Sequence, residues 1–220
     1  MIWLAWRQQR AVAAGLLAIL AFYAAMAVWE QSTYPGMRGL TSGLSQYFSL
    51  FLGFFVGAPA VAREYELGTH RFVWTQTISR RRWYTTRIAV AAAVAVAGVA
   101  GLSAAVAWAG QRPEGWSRFT QDPMSQAYFD SHGVTPFAVA LFLVALGFTA
   151  GTVLQRTLPT MGVVLVAWIA LTTAGPALRD RLRDEDLMTG YWSWQLAYGG
   201  ALLVLAMAIS LVGRQRMTRR

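Results

Sequence analysis

Six stretches of the chain contain no Asp, Glu, Arg or Lys: 11–29, 39–62, 88–111, 133–155, 157–178 and 187–213. Each can supply roughly 20 residues of helix, the length that crosses a hydrocarbon core. A soluble bundle of this size would repeat charged positions along the outward face of every helix, whereas here the charges are confined to the seams between stretches. The apolar runs are unbroken rather than alternating, which argues against a transmembrane β-barrel. The pattern predicts an all-α integral membrane domain with six transmembrane helices, at about residues 11–29, 45–62, 88–110, 135–154, 158–176 and 194–212.

The seams carry the remaining local signals. Ile2, Trp3, Leu4 and Trp6 stand beside Arg7, Gln8, Gln9 and Arg10, a composition suited to a short N-terminal interfacial helix, with a frayed tail as the alternative. Tyr34-Pro35-Gly36 predicts a turn after the first span. Pro59 interrupts the second span, where its missing N–H predicts a kink. Gly68 reads as a helix stop, Thr69 as the N-cap of a short helix through about Thr77, and Ser79 as the cap of the third span. Residues 63–87 therefore form a basic amphipathic insert that is longer than a return to the bilayer requires. Thr135-Pro136 and Thr157 with Pro159 open the fourth and fifth spans.

Arginine placement sets the orientation. The termini, the 63–87 loop and the Gln155-Arg156 turn hold 13 of the 19 basic residues, and the opposite loops hold 6. By the positive-inside rule the termini and the insert are expected to be cytoplasmic. The opposite loops hold eight of the ten acids, so the net charge of +9 is an orientation signal rather than a nucleic-acid-binding surface. Arg7 and Arg10 before an apolar stretch invite comparison with a signal peptide, but that stretch is longer than an ordinary signal core. It is expected to be retained as the first span.

Composition also prunes the chemistry. The chain has no cysteine, which excludes disulfides, thiolate metal sites and cysteine nucleophiles. It has no lysine either, which removes Schiff-base catalysis and the lysine that ends a P-loop. Any nucleotide energy must then come from a partner. No ionisable residue stands mid-span, so proton-coupled transport lacks its usual machinery. His70 and His132 fall in loops and read as surface polar residues. The run from Arg179 to Asp186 alternates in sign and reads as a solvated charged helix, with Arg181 to Glu185 and Arg183 to Asp186 as helical pairs and a ligand site as the alternative.

What remains is apolar and aromatic. On a regular helix Phe48, Phe51 and Phe55 share one face, with Gly53 and Gly57 opposite, and Met161, Leu165 and Trp168 share a face of the fifth span. The glycine spacing permits close helix approach, with ordinary packing and a dimer seam as the two uses. The aromatic sets are candidates for a central, mostly apolar pathway suited to an amphiphilic or lipid-like solute, with packing inside one subunit as the alternative.

Ala62-Arg63-Glu64-Tyr65-Glu66-Leu67-Gly68-Thr69, followed by Thr75-Gln76-Thr77-Ile78-Ser79-Arg80, resembles the Glu-x-Gly-Thr and Ser-Arg pattern around the coupling helix of ABC-2 type transporters. Gln155-Arg156-Thr157-Leu158-Pro159 is similar to an inner-turn pattern of that family. The chain as a whole resembles a short six-span permease subunit of the sort common in high-GC Gram-positive bacteria, a single domain over residues 1–220. The resemblance implies a non-enzymatic export subunit of the cell membrane. It also implies a separate ABC ATPase that binds ATP and Mg, and a second permease copy. The coupling segment would then comprise Glu64, Glu66, Gly68, Thr69, His70, Arg71, Phe72, Val73, Trp74 and Gln76, with Glu64 and Glu66 fixing the break before the coupling helix through Arg63 or Arg71, or else serving as plain interfacial charges. Two departures from the family are a short segment between spans five and six and an enlarged loop between spans three and four. A membrane scaffold or sensor that recruits a cytoplasmic partner is the alternative reading.

Overall fold

The computed structural model describes residues 14–15, 17–29, 40–68, 79–109, 126–184 and 190–219. Among them every regular element is helical: α1 (Leu17–Trp29), α2 (Leu40–Leu52), a π-helical turn (Gly53–Gly57), α3 (Pro59–Glu66), α4 (Arg80–Ala109), α5 (Gln126–Ser131), α6 (Thr135–Leu154), α7 (Thr157–Asp184) and α8 (Tyr191–Arg219). Five of the described helices are long and apolar enough to cross a membrane: Gly43–Glu66, Arg80–Trp108, Thr135–Leu154, Thr157–Arg181 and Tyr191–Arg216. They cover the second to sixth expected spans. Only part of the first expected span is described, and its helix Leu17–Trp29 is shorter than these five. The N-terminal residues 1–10 and the 69–78 segment lie outside the described residues.

The second span is where the chain departs most from a regular helix. Pro59 has no N–H to offer the carbonyl four residues earlier, and the ladder changes register before it. Ala58 N donates to Gly53 O at 2.8 Å, an i to i−5 bond, and Pro59 then opens α3. The irregularity expected at Pro59 is therefore absorbed upstream of it, as one π turn. At the far end of α3, Leu67 N donates to Arg63 O at 3.0 Å and Gly68 turns left-handed at φ 68°. That is the helix stop the glycine predicts. Ser79 Oγ accepts the Arg82 N–H at 3.4 Å, at the start of α4.

Helix α6 is the centre of the bundle, touching α2, the π turn, α3, α4, α7 and α8. Small residues let the second span approach it. A Cβ added at Gly57 would stand 2.9 Å from the Val144 Cα and carbonyl oxygen, and one at Gly147 would stand 2.9 Å from Ala58 N. The two backbones are in contact, so glycine is required on both sides. Around this crossing Phe48, Leu52, Val56, Ala91, Ala95, Val99 and Val144 form the main apolar core. Tyr23 ties α1 to it, donating to Leu44 O at 2.6 Å while its ring meets Phe48 edge-on.

The start of α6 is capped from another helix. Thr135 is the expected cap, but the capping position is Val134, which offers no side-chain acceptor. The buried Gln195 of α8 supplies one instead: its Oε1 accepts from Val134 N at 3.0 Å, Thr135 N at 2.9 Å and Thr135 Oγ1 at 2.7 Å. Its amide nitrogen donates toward Phe129 O, His132 O and the Tyr191 hydroxyl, so this buried polar group is satisfied. At the other end of α6, Gln155 adopts a left-handed φ of 55° and begins the two-residue turn into α7.

Candidate functional site

Glu64 and Glu66 occupy the last turn of α3, two residues apart and therefore pointing in different directions. Glu64 forms an ion pair with Arg87 of α4. Arg87 also donates to Ala60 O at 2.9 Å and lies over the Trp83 ring at 5.1 Å. One guanidinium thus binds both the backbone and the side chain of α3, and holds α3 against α4. Tyr84 and Phe148 pack behind this contact, linking it to α6.

Glu66 reaches the start of α7. Its Oε1 accepts the Thr157 N–H at 2.7 Å and its Oε2 accepts the Thr157 hydroxyl at 2.7 Å. The first N–H groups of a helix have no partner inside it, and a carboxylate there also meets the positive end of the helix dipole. Arg156 and Arg63 add favourable charge nearby. The two glutamates therefore fasten α3 to α4 and to α7 respectively.

Arg87 and Thr157 are partners that the sequence reading did not single out, and the expected Arg71 lies outside the described residues. Among the described residues Glu64 pairs with Arg87. Glu66 is held chiefly by Thr157. Gly68 ends α3. The other expected coupling residues, Thr69, His70, Arg71, Phe72, Val73, Trp74 and Gln76, lie outside the described residues.

The candidate pathway residues fall in different environments. Phe48 is 0 % exposed, locked between Tyr23 and the Gly98 side of α4, whereas Phe51 is 37 % and Phe55 47 % exposed. Phe51 and Phe55 stack with centroids 6.0 Å apart. On α7, Leu165 is exposed and Met161 half-buried, while Trp168 donates its Nε1–H to Gln46 O at 3.3 Å and packs on Tyr47. The residue of α7 that meets the π turn is the buried Val164, facing Gly53. The single aromatic face expected for α2 is therefore split between the subunit core and its surface.

At the opposite end of α7 a second polar cluster appears. Pro176 leaves the Thr172 carbonyl without its helical donor, and Gln126 Nε2 of α5 supplies one at 3.2 Å. Arg179, expected to be solvated, is only 6 % exposed, with its guanidinium over the Phe129 ring at 4.3 Å. Burial pushes the neighbouring Asp130 carboxyl up to about 6, against the opposing pull of Arg179 and a Gln126 hydrogen bond. His132 stacks on Tyr128 at 4.0 Å and shares its Nδ1 with the Ser131 hydroxyl at 2.8 Å. Burial lowers its pKa. The ion pairs of the expected charged helix, Arg181 with Glu185 and Arg183 with Asp186, fall partly on residues 185–186, which lie outside the described residues.

Apolar spans packed around α6, with the polar contacts gathered at the helix ends, define a multi-pass membrane protein. Comparison with protein families matches the chain over residues 23–179 to the family described as ABC-2 membrane transporter related, and the chain belongs to that family. No curated protein and no solved structure matches it. The family constitutes the membrane component of a transporter, has no catalytic site of its own, and implies an ABC ATPase as partner in general.

Proposed function

We propose that this chain is the permease subunit of an ABC exporter in the plasma membrane, with both termini cytoplasmic. It works with a separate ATPase, which holds ATP and Mg, in an assembly of two permeases and two ATPases. Its cargo is an amphiphilic or lipid-like solute, in keeping with surface aromatics at Phe51 and Phe55 and the apolar side chains of Met161 and Leu165. Residues 69–78 form the segment that docks on the ATPase.

The observation that carries this reading is the fastening of both ends of that segment. α3 precedes it and α4 follows it, Arg87 binds one to the other through Glu64, and Glu66 extends the connection to α7. A displacement of 69–78 is thereby delivered to three helices together. The permease responds if the ATP-bound and empty states of the partner favour different arrangements of those helices.

The test is to purify the permease with its ATPase and to replace Phe72 and Trp74 together by Ala. Aromatic anchors commonly cost about 2 kcal/mol or more when truncated, so co-purification and solute-stimulated ATP hydrolysis should both fall. Unchanged co-purification with unchanged coupled hydrolysis rejects the docking segment. A complex that hydrolyses ATP but moves no solute across a vesicle membrane favours the scaffold reading over the exporter.

A further inference from the structure

Beginning at Thr157 beside Glu66, α7 rises about 33 Å before it reaches Arg179, at about 1.5 Å per residue. At that remote end α5, α7 and α8 enclose a cleft of about 20 Å³, lined by Phe129, Asp130, Pro176, Arg179, Trp194 and Tyr198. The Arg179 Nε is buried and has no hydrogen-bond partner among the described residues. The Phe129 face at 4.3 Å balances part of the charge but accepts no conventional hydrogen bond. A buried donor left in this condition is costly, and a cationic one most of all.

We propose that this cleft is an oxyanion site, in which an oxygen of a phosphate group, free or in a lipid headgroup, accepts from Arg179. A guanidinium matches phosphate geometry and forms stronger hydrogen bonds to an anion than to a neutral acceptor. A volume of about 20 Å³ admits one oxygen-sized group, so the rest of the phosphate stays at the mouth. From there Leu171 and Leu178 of α7 continue the lining as apolar surface, along which an acyl chain fits. Asp130 opposes the anion while it is ionised. The charged and titratable groups that face it from neighbouring helices are Arg179 of α7 and Tyr198 of α8. Because its carboxyl titrates at about 6, the cleft is net positive below that pH and close to neutral above it. The inference goes beyond the transport reading and does not depend on it, since the site would hold a resident lipid as well as a cargo.

The experiment uses the full chain in a phosphate-free maltoside detergent. Dioleoyl phosphatidylglycerol is titrated by native mass spectrometry and inorganic phosphate by calorimetry, each below and above the Asp130 value of about 6. Wild type should bind more tightly at the lower pH. Arg179→Gln should weaken binding roughly tenfold, about 1.4 kcal/mol. Asp130→Asn should bind above that pH as tightly as wild type binds below it. Binding of both probes with this dependence assigns the site to the phosphate group itself; binding of the lipid alone assigns it to a headgroup. Equal binding by wild type and Arg179→Gln, or no retention of either probe, means that only water fills the cleft and overturns the proposal. Should Arg179→Gln fail to fold, Asp130→Asn decides, and no gain in affinity at the higher pH is equally fatal.

Discussion

Glu66 and Thr157 are 91 residues apart in the chain and joined by two hydrogen bonds, one to the backbone and one to the side chain. The carboxylate of one helix serves as the cap of another. Replacing Glu66 by Gln keeps an acceptor but removes the charge, and replacing Thr157 by Val removes only the hydroxyl contact. Each change should lower the thermal midpoint of the purified protein. Because they disrupt one interaction, the double variant should be scarcely worse than Glu66→Gln alone. Strictly additive losses would show that the two residues act separately.

The Glu64–Arg87 pair is largely shielded from solvent, so the two single variants should be costlier than the loss of a surface pair. Removing Arg87 takes the ion-pair partner from a largely buried carboxylate, and breaking a buried pair in this way costs about 3–5 kcal/mol, the lower end applying to a partly accessible one. Arg87→Ala should therefore unfold well before wild type in a denaturant titration. Glu64→Gln, which keeps a hydrogen-bonding group, should lose less. Equal stability of Arg87→Ala and wild type would rule out a structural role for the pair.

The glycine crossing makes a sharper contrast. Gly57→Ala drives a methyl group to 2.9 Å from the Val144 backbone, which cannot move aside as a side chain end would. Overpacking of this kind costs about 1–3 kcal/mol. Gly200, inside α8, has open space where a Cβ would stand, and Gly200→Ala should be neutral or stabilising by up to about 1 kcal/mol from helix propensity. The pair is read by comparing melting midpoints in the same detergent; a Gly57→Ala protein as stable as Gly200→Ala would mean that the helices do not touch there.

Asp130 gives a pH signature. Burial raises its folded-state value to about 6 from 3.8, so between those values the folded protein holds more protons on this group than the unfolded chain does. Its contribution to stability is thus fully present below the unfolded value and is lost as pH rises through about 6. Asp130→Asn should abolish that loss and be more stable than wild type above this range, by about 3 kcal/mol at one pK unit per 1.4 kcal/mol. His132, with its lowered pKa, acts in the opposite direction as pH falls. The difference between wild type and Asp130→Asn isolates the carboxyl, and a difference that does not change with pH would refute the shift.

How much of this was legible in the sequence depends on range. Charge exclusion located the five described helices that are long and apolar enough to cross a membrane, because the bilayer penalises a charge wherever it stands in the helix. Gly68 and Ser79 were readable because a stop or a cap is decided by neighbouring residues. The π turn was not, since its register depends on a proline together with glycines fitted to α6. A helical wheel groups the aromatics but does not say which edge of the group meets the core: Phe48 is buried, while Phe51 and Phe55 come to the surface. The partners of Glu64 and Glu66 come from helices distant in sequence. Arg179 was misread for a related reason. In a run of alternating charges nothing local distinguishes the residue that will meet Phe129 across a helix gap.

Where Gly57 and Gly147 bring two backbones together, no rotamers lie between them to be exchanged. A side-chain interface can adjust in small steps as one residue after another changes its conformer, but this one has no such gears. The close approach runs from Gly53 beside Leu143 to Gly151 beside Ala58 and Ala62, so neither sliding nor tilting one helix on the other leaves the clearance intact. The second span and α6 are therefore splinted along this length, and a push on the helix end at Glu66 would meet the two as a single bar.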